Sequence, residues 1–215
     1  MKILTIANRK GGAGKSTCAA HMANEASKNN LKTILIDLDP QKTLESWWKT
    51  RKNEDIFLID ILDIELLNET LTKLKEKKFD ICIIDTPGDM SQNARVGIMY
   101  ADLVLIPSKP TSPDLTAIGR TISLVEESKK KFVFVITQGI TRTKAMYQAF
   151  SVLSSFGAVA PAIITNRISY ANAMATGKAA NETDKTAEEE IKKVWDFISE
   201  KLLEIKINKK EKLMV

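Results

Sequence analysis

Apolar residues fall along this chain in short unbroken runs separated by stretches of helical spacing. Ile3-Leu4-Thr5-Ile6-Ala7, Thr33-Ile34-Leu35-Ile36, Ile81-Cys82-Ile83-Ile84, Leu103-Val104-Leu105-Ile106 and Phe132-Val133-Phe134-Val135-Ile136 are rich in β-branched residues and show no polar alternation. Such runs suit strands covered on both faces. Shorter strands are expected at Ile56–Ile61 and Pro161–Thr165. Between them the spacing predicts helices over 16–29, 42–52, 64–77, 91–100, 114–128 and 144–156, a short helix after Tyr170, and a last one over 186–205. Ile64, Leu67, Leu71 and Leu74 carry the period in the third; Val194, Phe197, Ile198, Leu202 and Ile205 carry it in the last. Strands alternating with helices throughout predict one three-layer α/β domain, with a mostly parallel central sheet and helices on both faces. The expected boundaries are 1–205 for the domain and 206–215 for a basic, frayed tail.

The first strand leads into Asn8-Arg9-Lys10-Gly11-Gly12-Ala13-Gly14-Lys15-Ser16-Thr17. Glycines let a backbone curl until successive N–H groups point inward at an anion. A helix opening near Lys15 adds its positive end. Lys15 has the reach for β- and γ-phosphates, and the Ser16 hydroxyl suits Mg²⁺. Arg9 stands where the usual G-x-x-x-x-G-K-[S/T] pattern has its first glycine, and Lys10 follows it.

Two further strands end in acids. Asp37-Leu38-Asp39-Pro40-Gln41 closes the second run, and Asp85-Thr86-Pro87-Gly88 closes the fourth. Parallel strands present their C-terminal ends to a ligand crevice, where a carboxylate can hold Mg²⁺ directly or through water. Asp37 and Asp39 also fit a helix N-cap with Pro40 in the first turn.

The 215-residue chain carries a net charge of +5, unevenly spread. From Lys129 onward there are 15 Lys and Arg against 9 Asp and Glu. That imbalance suits either a polyanionic partner or a solvated lysine-rich face. Cys18 and Cys82 read as small buried residues of a reducing compartment and lack zinc-site spacing, and nothing in the sequence suggests an iron–sulfur cluster. No apolar run approaches a membrane span, and with strand residues from the first positions no signal peptide is expected. His21, the sole histidine, is expected on a helix surface. Of Trp47 and Trp48, either one packs inside and the other stays partly exposed, or both serve an interface. Pro107, Pro110 and Pro113 stiffen one loop.

The K-G-G-x-G-K-[S/T] loop, the D-x-D-P-Q run and the Ile-Ile-Asp-Thr-Pro strand end, in this order, resemble the deviant Walker A ATPases of the ParA/MinD family. The likeness runs from the first strand to about Asn181 and is strongest to small ParA- or ParF-type partition ATPases. It implies a P-loop NTPase fold with ATP as substrate and Mg²⁺ as cofactor. Lys10, Gly11, Gly12, Ala13, Gly14, Lys15, Ser16 and Thr17 would bind nucleotide. Ser16 and Asp85 would set the metal, Asp37 would support it, and Asp39 would position water. Lys10, Lys15 and Asp39 form the implied catalytic set, with Lys10 reaching a partner subunit's nucleotide. The resemblance further implies an ATP-dependent homodimer and non-specific DNA binding, with Arg142, Lys144, Arg167 and Lys178 as candidate contacts. A ParB- or ParG-like centromere-binding protein would stimulate slow hydrolysis. The location would be cytoplasmic and nucleoid-associated, without stable membrane association. A MinD-like membrane-cycling ATPase is the alternative, but Ile207, Leu213 and Met214 offer little apolar anchorage in the tail.

Overall fold

The computed structural model describes residues 1–61, 63–89 and 91–203. Strand β1 (Lys2–Ile6) leads through the glycine loop to α1 (Lys15–Lys28), then β2 (Thr33–Asp37), α2 (Thr43–Thr50) and β3 (Ile56–Ile59). A 3-10 turn and α3 (Leu67–Glu76) precede β4 (Ile81–Asp85), α4 (Gln92–Met99), β5 (Leu103–Ser108) and α5 (Ser112–Glu127). Then come β6 (Phe132–Gly139), α6 (Lys144–Ser154), β7 (Ala158–Val159), β8 (Ile164–Thr165), α7 (Ile168–Thr176), a second 3-10 turn (Ala180–Glu182) and α8 (Lys185–Leu203).

The sheet order is β3-β2-β4-β1-β5-β6-β7, with β8 also on β6, and every pairing is parallel. Alternate residues feed opposite layers. Leu4, Ile6, Ile81 and Ile83 pack with α1 and α8 on one face. Ile3, Cys82 and Ile84 pack with α3 on the other, and Val104, Ile106 and Phe134 with α5 and α6. Both faces are therefore dry, which explains the unbroken apolar runs. The central strands β4, β1 and β5 end side by side, with Asp37, Asp85 and Ile6 in register across β2, β4 and β1.

Some elements depart from the expected bounds. The helix expected from Ile64 opens as a 3-10 turn over Ile64–Leu66, because the Asp63 side chain accepts the Glu65 N–H and tightens the entry. The strand expected over Pro161–Thr165 is only β8, with β7 lying before it; Pro161 has no N–H to extend a ladder. Helix α5 starts two residues before Asp114, capped by Thr111. Ile205 and the expected tail 206–215 lie outside the described residues.

His21 is not on a surface; it is fully buried. Every residue from Cys18 to Ala26 of α1 is buried, so that part of the helix has no wet face for a histidine to occupy. Trp47 is buried and Trp48 is partly exposed, which matches the packing alternative for that pair.

A phosphate cleft and an adjoining cavity

The glycine loop joins the end of β1 to the start of α1. Gly12 (φ +72°) and Gly14 (φ +89°) hold left-handed backbone, which a Cβ would strain. Gly14 precedes α1 and no side chain caps the helix, so its first N–H groups are left to the cleft. The loop borders a cleft of about 560 Å³ shared with Asp39, Gln41 and Gly88. Lys15 is buried at its base. A Cβ on Gly88 would lie 3.2 Å from Lys15 Nζ and 3.3 Å from Gly11 Cα, so the β4 turn closes directly over the lysine.

Side chains at the end of β6 brace the loop from behind. Thr137 Oγ1 donates to the Ala13 carbonyl (2.8 Å), and Gln138 Nε2 donates to the Gly12 carbonyl (3.0 Å). With their carbonyls tied back, the loop's N–H groups are free to face the cleft. Asn8 sets the entry: its amide donates to the Pro107 carbonyl (2.6 Å) while its Oδ1 accepts the Lys10 N–H (2.9 Å). Thr121 on α5 accepts the Arg9 N–H at 3.1 Å. Lys10 is thereby turned outward and exposed. It borders a separate depression with Arg9, Pro113 and Arg120, away from the cleft that holds Lys15. Lys109 brings Nζ to 3.6 Å from where a Cβ on Gly12 would stand.

The three acids differ sharply. Asp37 accepts the Asp39 N–H at Oδ1 and the Glu45 N–H at Oδ2, both at 3.0 Å, and so ties the start of α2 to β2. Burial raises its pKa, against the pull of those two N–H groups. Asp39 is half-buried in the cleft wall, with Oδ1 accepting the Gln41 N–H at 2.9 Å. Asp85 is fully buried, and neither of its oxygens has a hydrogen-bond partner. Burial pushes its pKa up to about 7; the Ser16 hydroxyl lowers it and Asp37 raises it further. A buried carboxylate without partners is costly unless something binds it. Ser16 beside these orphaned oxygens fits Mg²⁺, whose other ligands are ordinarily phosphate oxygens and water. Among the described residues no group of three or more His, Cys, Asp or Glu makes an all-protein metal cage.

A second cavity of about 260 Å³ adjoins the first, sharing Gly14, Thr17 and Gln138 with it. Its far wall is Thr165, Asn166, Arg167, Tyr170 and Met174. Behind that wall His21 is held as a neutral ring. Its Nδ1 faces the Thr17 carbonyl (2.7 Å), and its Nε2 accepts the Ala180 N–H (3.0 Å). Burial lowers its pKa to about 4. The ring meets Tyr170 edge-on, with centroids 5.1 Å apart. Arg51 spans several elements, bonding Asp55, Asn24, Glu182 and the Gly177 carbonyl.

The four basic candidates are spread over different elements. Arg167 forms part of the second cavity and pairs with Glu190 at 3.3 Å. Arg142 is exposed in the turn after β6, with φ +61°, and Lys144 is exposed at the start of α6. Lys178 is exposed beyond Gly177, and its carbonyl accepts Trp47 Nε1 at 2.7 Å. Sequence reasoning alone does not single out Asn8, Thr137 or Gln138. Thr137 and Gln138 did carry one signal, since polar residues closing an apolar parallel strand face the crevice.

Fold and loop together define a P-loop nucleotide-binding protein built on a doubly wound parallel sheet. Residues 4–201 match the CobQ/CobB/MinD/ParA nucleotide binding domain, and the chain belongs to that family as a ParA/MinD-type ATPase. The chain is 30% identical to protein ParA of Rhizobium radiobacter over 134 residues, covering 60% of this chain and 59% of the relative's length. It is 26% identical to maintenance of carboxysome distribution protein A of Halothiobacillus neapolitanus over 182 residues, covering 81% of this chain and 84% of that one. Its fold matches the MinC:MinD cell division protein complex of Aquifex aeolicus with a TM-score of 0.79, at 18% identity, over 92% of this chain and 96% of that chain. Among the described residues no helix is long and apolar enough to cross a membrane.

Proposed function

We propose that the chain is a partition-type ATPase that dimerises on ATP, binds DNA without sequence preference, and is reset by hydrolysis. The observation that carries this reading is the two-way loop: Lys15 is buried in the chain's own cleft, while Lys10, five residues earlier, is exposed in a different depression. A lysine fixed outward by Asn8 is poorly placed for its own nucleotide and well placed for that of a second copy. The phosphates would lie on the loop N–H groups and Lys15, and the base would lie in the second cavity, against Tyr170 and Met174. Ser16 and Asp85 would hold Mg²⁺, which supplies charge neutralisation on the phosphates. Asp39, at the cleft wall with Oδ1 fixed by Gln41, would orient the attacking water.

No arginine lines the cleft among the described residues. An arginine supplied in trans is worth roughly 10³–10⁵ in rate, so turnover alone should be slow and a centromere-binding partner should accelerate it. Of the four basic candidates, Arg142, Lys144 and Lys178 are the proposed DNA contacts, while Arg167, paired with Glu190, belongs to the second cavity; the location is cytoplasmic, on the nucleoid, without stable membrane association. The test is binding to an arbitrary duplex without nucleotide, with ADP, and with ATP–Mg²⁺ across a salt series, with anionic liposomes in parallel. Binding that needs ATP and weakens steeply with salt supports partition. Liposome binding without DNA binding replaces it with a membrane-cycling role.

A further inference from the structure

The wall of the second cavity has little sheet to hold it. Strand β8 is two residues long and reaches β6 across an irregular register between Thr137 and Gly139. After it the chain turns through Asn166 and Arg167 into α7, with the Asn166 N–H on the Gly139 carbonyl. A different element supplies the missing support. Glu190, on α8, reaches back and bonds the same wall at several points. Its carboxylate accepts the Thr165 N–H (3.2 Å), Thr165 Oγ1 (2.8 Å), Tyr170 OH (2.8 Å) and Arg167 Nε (3.3 Å). The side chain is only 13% exposed. Three residues of the cavity wall are therefore fixed by one carboxylate that does not line that cavity.

We propose that Glu190 is the positioning residue of the nucleobase site. It locks Thr165, Arg167 and Tyr170 in the arrangement that receives the base. This rests on the second cavity being the base site, as proposed above. Burial and the Glu190 carboxylate both hold the Tyr170 phenol protonated, so Tyr170 stays a donor to Glu190. A carboxylate is what this place requires. It can accept from an amide, two hydroxyls and a guanidinium at once, whereas a carboxamide keeps one acceptor oxygen and loses the charge facing Arg167.

The phosphate loop takes no part in this network, which makes the proposal separable. ATP and inorganic tripolyphosphate share the loop, but only ATP carries a base. Calorimetry with each ligand on the full chain, in Mg²⁺, is expected to give wild type a clear preference for ATP. Glu190→Ala should weaken ATP at least tenfold and leave tripolyphosphate within twofold. Glu190→Gln should fall between them, and Tyr170→Phe, which removes one donor, should cost ATP two- to fivefold. Unchanged ATP affinity in Glu190→Gln and Tyr170→Phe would overturn the role of Glu190, even if Glu190→Ala failed to fold. Equal loss of both ligands would also overturn it, since that marks general damage to the fold. If wild type itself did not prefer ATP over tripolyphosphate, the base-site reading would fall first and the role of Glu190 with it.

Discussion

The two halves of the nucleotide cleft are built by opposite means. The proposed phosphate half is in the main one contiguous segment, Gly11 to Thr17, whose recognition groups are backbone N–H groups, one lysine and one hydroxyl. The proposed base half is assembled from α1, β8, α7, the turn at Ala180 and α8, held by Glu190, His21 and Arg51. One half depends on backbone geometry and the other on side-chain hydrogen bonds across long stretches of sequence. They should therefore fail separately, and they should respond to pH in opposite directions.

The largest effect falls on the phosphate half. Lys15→Ala should weaken ATP and tripolyphosphate alike by about 10³-fold, roughly 4 kcal/mol in a titration. Retained tripolyphosphate affinity would mean that the loop N–H groups alone hold the phosphates.

Asp85 gives the next effect. Its pKa is about 7 in the fold against 3.8 for an ordinary aspartate, so the folded chain holds the proton more tightly than the unfolded one. Stability lost to this group grows as pH rises from about 4 to 7. Asp85→Asn should therefore stabilise the ligand-free chain at pH 7.5 by up to about 4 kcal/mol, a rise in Tm of ~8–16 °C, and the gain should vanish below pH 4. The same variant should lose the Mg²⁺ dependence of ATP binding.

On the base side, a Cβ at Gly177 would stand 2.3 Å from Arg51 N, where φ is already +67°. Gly177→Ala should cost about 3 kcal/mol, read as a lower midpoint in urea. Its residual tripolyphosphate binding should exceed its residual ATP binding.

The smallest predicted effect sharpens the contrast in sign. The pKa of His21 is about 4 in the fold against an ordinary 6.5. Its contribution is complete above pH 6.5 and is lost as pH falls toward 4. The stability gap between wild type and His21→Gln should shrink over that window by about 2–3 kcal/mol. A gap that stays level would mean that the ring is protonated or wet.

The same contrast governs what the sequence made legible. Gly11, Gly12, Gly14, Lys15 and Ser16 sit within six residues, and the strand ends at Asp37 and Asp85 follow from two apolar runs. Register then places those two acids side by side. Glu190 is indistinguishable along the chain from Glu188 and Glu189, which match the helix dipole equally well. Only the crossing of α8 over β8 selects it. His21 is expected on a wet face because polar residues in a helix suggest one, although Cys18, Ala19, Ala20, Met22 and Ala23 around it leave that stretch no such face. Asn8 is legible as a loop residue, but its hold on Lys10 depends on the Pro107 carbonyl of β5 and the Thr121 hydroxyl of α5, both about a hundred residues away.

Trp47 lies on α2, directly after the Asp39 turn, yet its Nε1 donates to the Lys178 carbonyl beyond α7, and the Arg51 guanidinium sits 5.3 Å from its ring. One indole is thus anchored to both halves of the cleft at once. With Trp48 and Trp195 replaced by Phe, its emission colour and quenching follow the polarity around the ring and the nearness of that cation, so the molecule carries its own optical gauge. A shift of the Asp39 turn against the base wall would register as a change in light, with no dye attached.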